Sequence, residues 1–154
     1  MNRTRLIRFA QSRSSNGIFV RAAGLMLRPS DAVLILAARV SLGDPVPLDL
    51  GALGEIFDDR SNRYESTQWE TRFILPTTWF FIQIPRPATD ARRLRLRLDE
   101  LTCVPTAIRP SSATLFELIP YTAELFQLPP VRHISGPWDF DLPLRRHRTR
   151  MSRD

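Results

Sequence analysis

Strict alternation of apolar and charged residues, in two stretches far apart in the chain, constrains the fold more than any other feature. In Gly136-Pro137-Trp138-Asp139-Phe140-Asp141-Leu142-Pro143-Leu144, the residues Trp138, Phe140, Leu142 and Leu144 fall on one side of an extended backbone, and Asp139 and Asp141 fall on the other. In Arg93-Leu94-Arg95-Leu96-Arg97-Leu98 the leucines and arginines alternate in the same way. A period of two marks a strand with one face in a core and one in water. An outward acidic row and an outward basic row suit neighbouring strands of one sheet. Trp138, Phe140, Leu142, Leu94, Leu96 and Leu98 are therefore the expected structural core.

Other segments carry the same signature. Asn16-Gly17 is a strong turn signal. Two runs rich in Val, Ile and Leu follow, 18–27 and 32–42, separated by Arg28-Pro29-Ser30-Asp31, and they read as a hairpin. Strands are also expected over 69–75, with Trp69, Thr71, Phe73 and Leu75 on one side, and over 79–84, closed off by Pro85 and Pro87. Residues 43–58 are expected to form a long connection with a short helical turn within 50–57, and a single helical turn is expected over 88–91. Continued alternation puts Glu100 on the apolar face, and Leu101 resumes the pattern one place late, which predicts a bulge at Asp99-Glu100. Residues 103–135 are the least legible, with 114–119 suiting either a strand or the start of a helix. Seven or eight short strands with turns between them predict an all-β, two-sheet antiparallel β-sandwich. At 154 residues the chain is one domain whose core needs no staples. Its expected organisation is a basic N-terminal arm over 1–13, a sandwich domain over 14–144 and an Arg-rich C-terminal tail over 145–154. The arm reads either as disordered or as a short edge strand through Leu6, Ile7 and Phe9.

Charge is unevenly spread. All 22 basic residues are arginine, and the net charge is +6. Nine of them lie in the two tails, so residues 14–144 hold 13 Arg against 15 acids and the body is slightly acidic. A basic pI here does not describe a nucleic-acid-binding domain. The clearest electrostatic feature is the cluster Arg145, Arg146, Arg148 and Arg150. It reads as a solvated tail or as a weak, salt-dependent contact with nucleic acid or another anionic surface. No apolar run is long enough for a transmembrane helix, and no secretory signal is visible.

Catalytic and metal-binding patterns are scarce. A nucleophile elbow, a phosphate loop and a dinucleotide fingerprint are all missing from the sequence. One cysteine, Cys103, rules out an internal disulfide and a thiolate zinc site, and reads as a small buried hydrophobe at a strand end. His133 has no orienting partner that the sequence can name. Asp58-Asp59-Arg60-Ser61-Asn62 fails the calcium-loop pattern and reads as a turn bonded to its own backbone. Asp139 and Asp141 read as a solvated ladder with arginines rather than as catalytic carboxylates. Trp69, Trp79, Phe80 and Phe81 read as core residues in preference to a stacking platform, with Phe80 and Phe81 on opposite sides of their strand, so that if both faces are apolar one covers a loop or a partner. No catalytic residue, metal or cofactor is expected.

The closing Gly136-Pro137-Trp138-Asp139-Phe140-Asp141-Leu142-Pro143-Leu144 strand, preceded by Arg92-Arg93-Leu94-Arg95-Leu96-Arg97-Leu98, resembles the end of an immunoglobulin-like domain of bacterial extracytoplasmic, anti-sigma-factor-type proteins. Asp58-Asp59-Arg60-Ser61-Asn62-Arg63-Tyr64 is similar to that family's turn, with Ser61 where glycine is usual. The resemblance implies an immunoglobulin-like sandwich without known catalytic residues, displayed beyond the membrane. This chain departs from the family in lacking a transmembrane helix and in carrying extra residues around 104–130. The preferred functional expectation is a non-catalytic interaction, sensing or structural module with a protein partner. The alternatives are a nucleic-acid- or assembly-associated protein gripping phosphate through its Arg-rich tails, and, more weakly, an enzyme.

Overall fold

The computed structural model describes residues 3–66, 68–103 and 132–144. Every regular element among them is a strand: β1 (Arg5–Ser15), β2 (Ile18–Leu27), β3 (Asp31–Val40), β4 (Leu48–Asp58), β5 (Gln68–Ile74), β6 (Thr77–Pro85), β7 (Arg93–Cys103) and β8 (Arg132–Pro143). They form a five-stranded sheet of order β1-β2-β3-β6-β5 and a three-stranded sheet of order β4-β7-β8. All pairings are antiparallel.

Alternation decides which side chains meet between the sheets. From the larger sheet come Val20, Leu25, Leu34, Leu36, Phe80, Ile82 and Ile84; from the smaller come Ile56, Leu94, Leu96, Leu98, Trp138, Phe140 and Leu142. Trp138 is fully buried, and its indole N–H donates to the Ile18 carbonyl across the core at 3.1 Å. A buried indole without such an acceptor would leave its N–H unpaired at a cost of about 1–3 kcal/mol. The outward rows meet as neighbours, Arg95 opposite Asp141 and Arg97 opposite Asp139. Arg93 Nε lies 2.7 Å from Asp141 Oδ1.

Turn chemistry sets the hairpins. Asn16 and Gly17 both take positive φ, and Ser15 pairs directly with Ile18. That conformation costs Gly nothing and Asn little, and it matches the twist of the flanking strands. Between β2 and β3, the Arg28 guanidinium grips both oxygens of Asp31 at 2.6 Å. The β7 ladder shifts against both neighbours at Asp99-Glu100, so the buried side changes phase from Leu98 to Leu101. On β8 the shift leaves Gly136 where a Cβ would meet the Leu98 carbonyl and the Trp138 ring at 2.7 Å.

Two expectations are corrected. Most of the expected 43–58 connection, its 50–57 helical turn included, is strand β4, where Leu50 and Ile56 bury their side chains while pairing with Leu101 and Leu96 of β7. Its burial pattern is irregular because the ladder to β7 shifts at Gly51 and Gly54. Residues 88–91 form a tight turn closed by the Ala91 N–H on the Ala88 carbonyl, so no helical turn is found there. Of the two readings of the N-terminal stretch, the edge strand is the one observed. β1 runs across the expected boundary at residue 13, with Ile7 and Phe9 buried.

Candidate functional site at the open edge of the larger sheet

Arg145, Arg146, Arg148 and Arg150 lie outside the described residues, as do residues 114–119. Leu94, Leu96, Leu98, Trp138, Phe140 and Leu142 all sit in the core. Cys103 is buried at the end of β7. His133 does find a carboxylate, with Nδ1 3.0 Å from Glu100 Oε2, but the imidazole projects into solvent. Sequence alone could not name that partner, because the register shift is what brings Glu100 near. Among the described residues, no group of three or more His, Cys, Asp or Glu is arranged to hold a metal.

The 58–64 turn is a closed polar knot. Asp58 accepts from the Arg60 and Asn62 backbone N–H groups, the Asn62 amide and the Tyr64 hydroxyl, at 2.6–3.0 Å. Tyr64 Oη in turn accepts from the Ala88 N–H at 3.0 Å, and Asp59 accepts from Arg92 and Arg93. Burial pushes the Asp58 carboxyl up, but these donors outweigh it and hold it at about 2. Burial, then the bond to Asp58, push the Tyr64 phenol up to about 12. With its acceptor sites filled by its own loop, the carboxylate ties the β4–β5 and β6–β7 connections together and has no lone pair directed at a ligand.

The four sheet edges differ sharply. β1 is bulged between Arg8 and Gln11 and carries Arg5, Arg8 and Arg13. β4 has three register shifts. β8 contains Pro137 and Pro143, and its Asp141 and Ser135 carbonyls accept from the Gln11 and Asn16 side chains. Bulges, like charges, prolines and side-chain cover are the usual means of stopping a strand edge from pairing further. Among the described residues, β5 has none of them along its outer backbone edge. It is paired without a shift from Gln68–Gln83 to Ile74–Thr77, and all seven of its residues are exposed.

Its side chains show why the edge is open. Trp69, Thr71 and Phe73 oppose Ile82, Phe80 and Thr78, so they point to the same side as the core. The three-stranded sheet ends at β4 and does not reach over them. Trp69 stays 40% and Phe73 36% exposed, with Ile74 and Leu75 above 60%. Asp49 of β4 spans the gap, its Oδ1 3.3 Å from both Trp69 Nε1 and Thr71 Oγ1. The four aromatics do not form one platform: Phe80 is fully buried, Trp79 and Phe81 face away from the smaller sheet, and Trp69 lies at the uncovered edge. Sequence reading assigned Trp69 to the core because alternation reports which side a residue faces, not whether a second sheet extends that far.

A solved structure, described as the crystal structure of the conserved domain protein from Bacillus anthracis, is similar in fold, with a TM-score of 0.62 and 14% sequence identity. The match covers 94% of this chain and 50% of that one, so the chain spans half the length of this neighbour. No family model matches the sequence, and no curated protein matches it.

Proposed function

We propose that this chain is a non-catalytic, immunoglobulin-like protein-interaction module that takes an extended partner segment along β5 by strand addition. One observation carries the reading: β5 is the single edge among the described residues that lacks bulge, proline, surplus charge and cover, and it carries an exposed apolar stripe. Backbone groups of such an edge supply affinity, and side-chain contacts on alternate residues supply choice of partner. Strand order supports the immunoglobulin-like assignment. Setting β1 aside, the sheets read β2-β3-β6-β5 and β4-β7-β8, the A-B-E-D and C-F-G orders of a constant-type domain with every neighbour antiparallel, and β1 is an added N-terminal edge strand. The resemblance of the closing strand and the 58–64 turn to extracytoplasmic modules points to display outside the cytoplasm.

The test is selection of extended peptides on the purified chain, followed by amide exchange of the bound complex. Strand addition predicts new protection at Trp69, Thr71 and Phe73. Binders that protect another surface, or a selection that yields none, would overturn the reading.

A further inference from the structure

The sequence of β5 is itself nearly a mirror: Gln68, Trp69, Glu70, Thr71, Arg72, Phe73, Ile74. Reversed about Thr71, the acid falls on the base and one aromatic on the other. A two-residue connection, Leu75-Pro76, joins Ile74 to its partner Thr77, which makes that pair the hydrogen-bonded one closing the hairpin. Antiparallel ladders alternate, so Arg72 and Glu70 bond back to β6, while Phe73, Thr71 and Trp69 turn their N–H and C=O groups to the free edge.

From this geometry we infer that the strand added at β5 is the β5 of a second copy, running antiparallel across a two-fold axis at Thr71. This rests on the strand-addition reading above and names its partner. In this register Thr71 faces Thr71 of the other copy, and Trp69 faces Phe73, through hydrogen-bonded pairs built from the outward-turned groups. Glu70 faces Arg72 at the intervening non-hydrogen-bonded positions, where side chains come closest. The Trp69–Phe73 and Glu70–Arg72 contacts each occur twice by symmetry about the single Thr71 pair, and the interface is self-complementary, as a two-fold one has to be. Both charges are available: within one copy Glu70 and Arg72 approach only to 3.8 Å, with about 70% of each side chain exposed. The bulged, arginine-bearing β1 edge repels its own copy, which leaves β5 as the edge where self-pairing is favoured. The product is a continuous ten-stranded sheet with Trp69 and Phe73 of the two copies covering one another.

The experiment is sedimentation equilibrium of the full chain and three charge variants. The wild-type chain is expected to dimerise. Glu70→Arg and Arg72→Glu each place like charges opposite one another twice, and each weakens the dimer by about tenfold or more. The Glu70→Arg/Arg72→Glu double variant exchanges the signs and restores dimerisation. Both positions are exposed, so all three variants fold. A wild-type chain that stays monomeric, single variants as tight as wild type, or a double variant as weak as the singles would each overturn the inference. A monomeric chain that still binds selected peptides along β5 loses the second copy but keeps strand addition; one that does neither loses both.

Discussion

Asp58 shows how one residue holds two loops. Its carboxylate is the common acceptor for a hydroxyl, an amide and two backbone N–H groups, and it is 2% exposed. Its value is depressed from 3.8 to about 2, so the stability it contributes is complete above roughly pH 4 and is lost as pH falls toward 2. Tyr64 acts at the other end: its value is raised from 10.0 to about 12, so its contribution is complete below pH 10 and is lost as pH rises toward 12. Asp58→Asn should cost about 1–3 kcal/mol at neutral pH and flatten the fall in melting temperature between pH 4 and 2. Thermal melts across that range check this, and an unchanged acid slope would remove Asp58 from the account. The sequence pattern showed a turn bonded to its own backbone. It did not show that Tyr64 carries the network on to Ala88, because that contact joins two loops far apart in the chain.

At the level of the strand, the alternation along β7 and β8 was legible because each has one face in the core and one in water. The same alternation located the bulge, since a slipped phase is visible as soon as Leu101 follows Glu100. Trp138→Ala should cost about 3–5 kcal/mol, from lost burial and a cavity. Asp139→Ala should cost under about 1 kcal/mol, because its side chain lies on the wet face. Similar losses in paired melts would contradict the face assignment. β4 was misread where glycines at 51 and 54 interrupt its period and bulge the ladder. β5 was read as a strand with the correct side-chain parity. Its exposure was not legible, because the extent of the opposing sheet is a property of strand count and order.

At the scale of the molecule, five strands face three among the described residues, and the mismatch leaves one flank without a facing strand. The β1–β8 flank is closed by the Gln11 and Asn16 side chains. On the β4–β5 flank, Asp49 bridges to Trp69 and Thr71, and no described strand pairs with the outer edge of β5. An all-β sandwich with its core on the alternating residues was readable from sequence. The candidate site was not, since it arises from the unequal width of the two layers. The central claim is that this edge is open in the single chain and is the surface that pairs. Residue-resolved amide exchange, in dilute and then concentrated protein, tests it most directly. In dilute protein, Trp69, Thr71 and Phe73 should exchange fast while Glu70 and Arg72, bonded to β6, exchange slowly; raising the concentration should slow the first three alone. Equal protection of all five amides in dilute protein would show an edge already covered, and would contradict the account.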